Sequence, residues 1–193
     1  MPRPLSQAAR ANAIAAAQRV IVERGLDHCS IDEVARESGV AKTTIYRHFK
    51  DADDLAVAAI DQMIGDIVAP DTGSFRSDLS AVVYGFRRIL ERPSARKTLI
   101  TMLHRALGDD EFEQLYERAQ ELRHAPLRRV LQRAIARGEV DPEIDLEQAM
   151  YFVQGPFVAK RIVELDPLTD GDIEVFLDLI CRALAPGARP TPG

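Results

Sequence analysis

The chain has no tryptophan, only two cysteines, and an aromatic content of 6%. The cysteines, Cys29 and Cys181, lie far apart and suit a reducing compartment. No apolar run approaches the roughly 18 residues of a membrane-spanning helix. The opening MPRPLSQAARANAIAAAQRV has the early arginines and alanines of an export signal, but Asn12, Gln18 and Arg19 break any sustained apolar stretch. It is expected to be the first helix of a cytoplasmic protein. No segment holds a period-two alternation for long, and hairpin dipeptides are missing, which argues against a sheet. There is no HExxH, no GxSxG, no glycine-rich phosphate loop and no CxxC pair. The four histidines, at 28, 48, 104 and 124, are scattered, and His104 would join Asp109 and Asp110 in a metal cluster only by accident of folding. No catalysis, metal or cofactor is expected.

What is present is ordinary folded-protein composition, with 46% hydrophobic and 28% charged residues over 193 positions. That length suits one large or two small domains. The net charge of −5 alone argues against nucleic acid. Its distribution argues the other way, because residues 1–52 hold eight Lys/Arg against six Asp/Glu. Positions 38–50 contain no acid, while Lys42, Arg47 and Lys50 fall inside them. A small basic patch on an acidic protein is a local site.

Helical spacing recurs throughout. A first helix is expected from Ser6 to Arg24, with Ile14, Ala17 and Ile21 on one stripe and Gly25 as its stop. The run SIDE, starting at Ser30, reads as a capping box, with Cys29 and Val34 as a hydrophobic staple. Gly39 ends the second helix, and a third runs from Lys42 to Phe49. Asp51 or Asp53 caps a fourth that reaches Val68. APDTGS at 69–74 breaks the chain. Helices follow at 75–91, stopped by Pro93, at 94–107, at 110–137 with an interruption or kink at Pro126, at 145–164 and at 170–184. GEVDPEID is a loop, and PGARPTPG should be loose. The expected fold is all-α with about nine helices. Residues 1–52 form a helix-turn-helix DNA-binding domain, 53–185 a ligand-binding and dimerisation domain, and 186–193 a flexible tail.

The second helix, the turn at Gly39 and the third helix match a helix-turn-helix. Ala35 is small enough for a close crossing, and Gly39 can take the positive φ of a sharp reversal. Val40, Ile45 and Phe49 point to the core. Lys42, Thr43, Thr44, Tyr46, Arg47, His48 and Lys50 then form the solvent face, mixing phosphate ligands with groups able to reach base edges. Thr43 and Thr44 occupy the first turn, where free amides attract phosphate. Tyr46 suits phosphate and sugar, Arg47 a two-pronged contact to guanine, and Lys42 and Lys50 phosphates. The expected partner is double-stranded DNA, read in a major groove.

Residues 11–55, ANAIAAAQRVIVERGLDHCSIDEVARESGVAKTTIYRHFKDADDL, resemble the DNA-binding domain of TetR-type regulators. Gly25, SIDEVA, GVAKTTIYRHF and the following DL stand in that family's order. The resemblance implies homodimerisation and a ligand that controls DNA affinity. It implies DNA-contact roles for Ser30, Lys42, Thr43, Thr44, Tyr46 and His48. One departure stands out: the family commonly has a lysine near the start of helix four, where a phosphate can dock, and here the segment reads KDADDL, with Ala52 and acids at 51, 53 and 54, so that either Lys50 replaces that contact or that part of the grip is weaker.

For the remainder, the resemblance implies a dimer seam in the last two helices and an effector pocket between helices four and eight. Seam candidates are Met150, Val153, Phe157, Ile162, Ile173, Phe176, Leu177 and Ile180, a stripe that can equally pack inside one subunit. Gln154-Gly155-Pro156 suggests a kink or a close approach of backbones. Pocket candidates are Tyr84, Phe86, Met102, His104, Tyr116, His124 and Phe152, suiting a modest-sized, largely apolar effector. The function expected is a ligand-responsive DNA-binding transcriptional regulator, a repressor released from a palindromic operator. The alternatives are an activator, or a small-molecule-binding or scaffold protein whose DNA-binding head is vestigial.

Overall fold

The computed structural model describes residues 4–65, 69–91 and 95–187. These residues form nine α-helices and no strand. They are α1 Pro4–Arg24, α2 Ile31–Ser38, α3 Lys42–Tyr46, α4 Ala52–Gly65, α5 Phe75–Leu90, α6 Ala95–Ala106, α7 Asp110–Ala136, α8 Leu146–Val158 and α9 Asp170–Leu184. A 3₁₀ turn at Leu26–His28 and a π-helical turn at Ala159–Val163 complete them. Among the described residues, no helix is long and apolar enough to cross a membrane. The expected stop at Pro93, the end of helix four at Val68 and most of the C-terminal tail lie outside the described residues.

Three boundaries differ from expectation, each for a local reason. α3 stops at Tyr46 because the amides of His48 and Phe49 both turn back to the Ile45 carbonyl, at 2.9 and 3.0 Å. That tight turn carries Phe49 into the core. α7 continues through Pro126, so the expected interruption there is absent. α8 ends at Val158, and the chain goes on as a π turn closed by the Glu164 amide on the Ala159 carbonyl at 2.9 Å. Pro156, three residues before the turn, has no amide to give to the regular ladder.

The chain divides into two compact units. Unit one comprises Met1–Asp66 and Ile89–Arg123. In it, α1 packs on α2, α3 and α4. Ala13, Ala16 and Ala17 are buried on α1, and side chains this small allow helices close approach. Gln18 Nε2 ties α1 to α4 by donating to the Ala59 carbonyl at 3.1 Å. Full burial of a leucine or isoleucine contributes about 1.5–3 kcal/mol. Ile21, Ile45 and Leu55 supply three such anchors here.

Unit two comprises Ile67–Arg88 and His124–Gly193. Its apolar core draws Leu79, Leu131, Met150, Ile173, Leu177 and Ile180 from four helices. The Phe157 and Phe176 rings meet edge-on at 5.4 Å between α8 and α9. A polar knot fastens the 69–74 segment. Asp78 is fully buried and accepts from the Thr72 amide and hydroxyl, both at 2.7 Å, and from Arg137 Nη2 at 3.1 Å. Burial raises this carboxyl, but the Thr72 donors and Arg137 outweigh it and hold it below its ordinary range. Glu139 accepts from the Phe75 amide at the start of α5, and that bond, with Arg137, holds it low as well. Gly138, at φ 73°, makes the left-handed turn that delivers Glu139 there.

Candidate nucleic-acid interface

Ser30 caps α2, its Oγ accepting from the Glu33 amide at 3.1 Å. The expected reciprocal bond is missing. The Glu33 carboxylate turns instead to Arg24 and Arg36, which lower its pKa to about 2, and the Ser30 amide goes to the His28 carbonyl at 3.0 Å. A reciprocal capping box is formed by Thr169 with Asp172, at the start of α9. Gly39 has φ 70° and donates to the Ala35 carbonyl at 3.0 Å, so the reversal between α2 and α3 is a left-handed C-cap. The adjoining Val40 amide is taken by Ser38 Oγ at 3.1 Å.

α3 is anchored by Ile45, at 0% exposure, and by Phe49 just beyond it, at 3%. Val40, the third expected anchor, is only half-buried. The Arg10 guanidinium of α1 lies 5.4 Å from the Phe49 ring centre and covers it. On the other side, Lys42, Thr43, Arg47 and Lys50 are exposed, and Tyr46 is 57% exposed. Thr44 and His48 are half-buried. The five-residue helix and its C-cap thus present Tyr46 and Arg47 outward, with Ile45 and Phe49 buried on either side.

Both lysines of this face are engaged. Lys42 Nζ lies 2.7 Å from Asp32 Oδ1, and Lys50 pairs with Glu111. The acids come from α2 and α7, so the acid-free segment 38–50 is not acid-free in space. Exposed pairs of this kind contribute about 0–1 kcal/mol and yield readily to a stronger anion such as phosphate. The acids of KDADDL are also in use. Asp51 Oδ1 accepts from the Asp54 amide at 2.8 Å, and Asp54 Oδ2 from the Lys50 amide at 3.0 Å. Asp53 forms a fork with Arg105 of α6. The departure from the TetR pattern therefore has a structural use, in capping and fastening α4. Burial, and then Asp53, push the Cys29 thiol up to about 12.

Three comparisons with known proteins bear on this geometry. Residues 13–59 match the family described as bacterial regulatory proteins, tetR family, and residues 69–180 match the tetracyclin repressor-like C-terminal domain. The chain belongs to the TetR family. It is therefore a member of a family of DNA-binding transcriptional regulators. A TetR-family relative from Mycobacteroides abscessus, named DNA-binding transcriptional repressor TetR, is 32% identical over 182 residues, covering 91% of this chain and 94% of that protein. The TetR-family regulator SCO0332 superposes with a TM-score of 0.77 at 23% identity, covering 92% of this chain and 99% of that one. FadR from Bacillus subtilis, solved with stearoyl-CoA, does so at 0.65 with 18% identity, covering 93% and 99%. These two likenesses speak to the TetR fold.

The remaining expected site residues are less gathered. Six of the eight seam candidates, Met150, Val153, Phe157, Ile173, Leu177 and Ile180, are buried in the chain's own core. Ile162 and Phe176 are half-buried. The outward stripe on α8 is Tyr151, Gly155 and Val158, and on α9 Val175 and Leu179. Among the described residues, a side chain added at Gly155 would meet nothing within 4 Å beyond its own helix. Of the seven pocket candidates, Met102, His104 and Tyr116 belong to unit one, and Tyr84, Phe86, His124 and Phe152 to unit two. His104 and Phe152 are exposed, and Met102 is buried. Periodicity found the apolar stripes but could not say which of two stripes on α8 and α9 faces inward.

Proposed function

We propose that the protein is a homodimeric repressor. Its paired α3 helices enter successive major grooves of a palindromic operator and leave it when a small molecule binds elsewhere in the chain. The observation that carries this reading is the outward Tyr46–Arg47 face of α3, held by buried Ile45 and Phe49. Arg47 reads a base, Tyr46, Thr43 and Thr44 hold backbone, and Lys42 and Lys50 exchange their carboxylates for phosphates. Ser30 and His48 flank them. Two-fold symmetry would set the two reading heads about 34–36 Å apart. The exposed stripe Tyr151, Val158, Val175 and Leu179 supplies the seam, with Gly155 leaving room for the second copy's backbone.

The repressor reading draws on the name of the Mycobacteroides abscessus relative, and the ligand response on the stearoyl-CoA held by FadR. Such a protein works beside DNA in the cytoplasm. An effector acts through its different affinity for the operator-bound and free arrangements. Transcript levels in a deletion strain test the sign. Repression predicts a rise in the neighbouring genes, and a fall in them would make the protein an activator.

A further inference from the structure

The basic residues at the N-terminal end of the chain are not equally available to an incoming anion. From Gln7 to Lys50 there are seven, and five sit against carboxylates: Arg19 against Glu37, Arg24 and Arg36 against Glu33, Lys42 against Asp32 and Lys50 against Glu111. Arg10 and Arg47 have no carboxylate partner among the described residues, and both are exposed. Arg47 belongs to the α3 face already described. Arg10 comes from α1, outside the helix-turn-helix.

Packing brings these two cations to one end of α3. The Arg10 guanidinium lies 5.4 Å from the centre of the Phe49 ring, and Phe49 follows Arg47 by two residues in the turn that closes α3. The Phe49 ring in turn lies 6.4 Å from the His48 ring. Phe49 is buried, so the guanidinium that covers it stands at the surface, at the edge of the α3 face. A guanidinium over a ring uses its flat face there, while the N–H groups around its rim stay free to donate. The ring also holds the arginine in place, which lowers the entropy lost on binding. The nearby acids do not claim it. Asp61, in the cleft that Arg10 also lines, is raised chiefly by burial, and the cations that oppose this are Arg123 and Arg118. α4 opens on Asp53 and Asp54, so its first turn adds no cation to this flank.

We propose that Arg10 is a further DNA contact, donating to a backbone phosphate beside the groove that α3 enters. The inference rests on the reading of α3 as the DNA-binding helix. It adds a residue that holds the duplex without reading its sequence, and no carboxylate has to be displaced first.

The test is fluorescence anisotropy with the full chain at several salt concentrations. Two duplexes are used, the one upstream of the protein's own gene and a scrambled duplex of equal length. Arg10→Gln should weaken binding to both by a similar factor, roughly five- to tenfold near 0.1 M salt, and lower the salt slope by about one unit. Arg10→Lys should restore the slope, and neither variant should change the melting temperature by more than a few degrees. The assignment is overturned if Arg10→Gln leaves affinity and slope unchanged, or if it weakens the upstream duplex alone. It is overturned too if the variant melts far lower or fails to fold while Arg10→Lys does not recover the slope, since Arg10 would then only cover Phe49. Salt-steep binding by the native chain with Arg10→Gln unchanged removes this contact and leaves the α3 reading standing. A native chain that binds neither duplex removes both.

Discussion

Arg105 Nη1 donates to Asp53 Oδ1 at 2.7 Å, and a second prong joins Nη2 to Oδ2. The pair ties the first turn of α4 to the last turn of α6, while the Arg105 guanidinium lies 4.1 Å from the centre of the Phe112 ring. The first turn of α4 is thus fastened by a pair within the protein. Both side chains are about one-third exposed, at 34% each, so the pair is worth less than a buried one. A double-mutant cycle with Asp53→Ala and Arg105→Ala should give a coupling of about 1 kcal/mol in urea unfolding. A coupling near zero would mean that the fork does not fasten α4.

The Lys42–Asp32 pair makes a prediction of opposite sign for the two partners. Lys42→Ala should weaken DNA binding and lower the salt slope by about one unit. Asp32→Asn should tighten it at low salt, by freeing Lys42 for phosphate. Anisotropy titrations at several salt concentrations decide this. Weaker binding by Asp32→Asn would show that the carboxylate positions the lysine instead of competing for it.

Carboxylates with lowered pKa values, Asp78, Glu139 and Glu33 among them, should set the acid limit of the fold. Asp78 and Glu139 lie below their ordinary range, and Glu33 falls from 4.5 to about 2. The stability they give is fully present above their unfolded values and drains away as pH falls through the lower folded ones. Melting temperature should therefore hold down to about pH 4.5 and drop steadily toward pH 2. Asp78→Asn should cost about 2 kcal/mol at pH 7 and flatten that drop. An unchanged acid slope in the variant would remove Asp78 from the account.

How much was legible beforehand follows from how local each signal is. Ser30, Gly39 and Thr43 to Arg47 were readable because caps, positive φ and helical spacing act over a few residues. The capping box at Ser30 was half right, because Arg24 and Arg36 compete for Glu33 through space. The partners of Lys42 and Lys50 were invisible for the same reason: Asp32 and Glu111 meet them only once the helices pack. On α8 and α9 both faces are apolar at helical spacing, and burial alone separates Met150 and Val153 from Tyr151 and Val158.

That last distinction predicts where charge is tolerated. Leu179→Glu, at a residue 54% exposed, should leave the monomer folded and split the dimer in sedimentation. Leu177→Glu, at a fully buried residue, should prevent folding. A Leu179→Glu chain that still sediments as a dimer would move the seam off this stripe.

The central claim is that Tyr46 and Arg47 read duplex DNA from a short helix propped by Ile45 and Phe49. The most direct test is fluorescence anisotropy of the duplex upstream of the protein's own gene, titrated with native chain and with Arg47→Ala. The account predicts saturable, salt-steep binding at about 10⁻⁸ M or tighter, with Arg47→Ala costing about 1–3 kcal/mol and an unchanged circular dichroism spectrum. Binding that never saturates, or that Arg47→Ala leaves as tight as before, would contradict it.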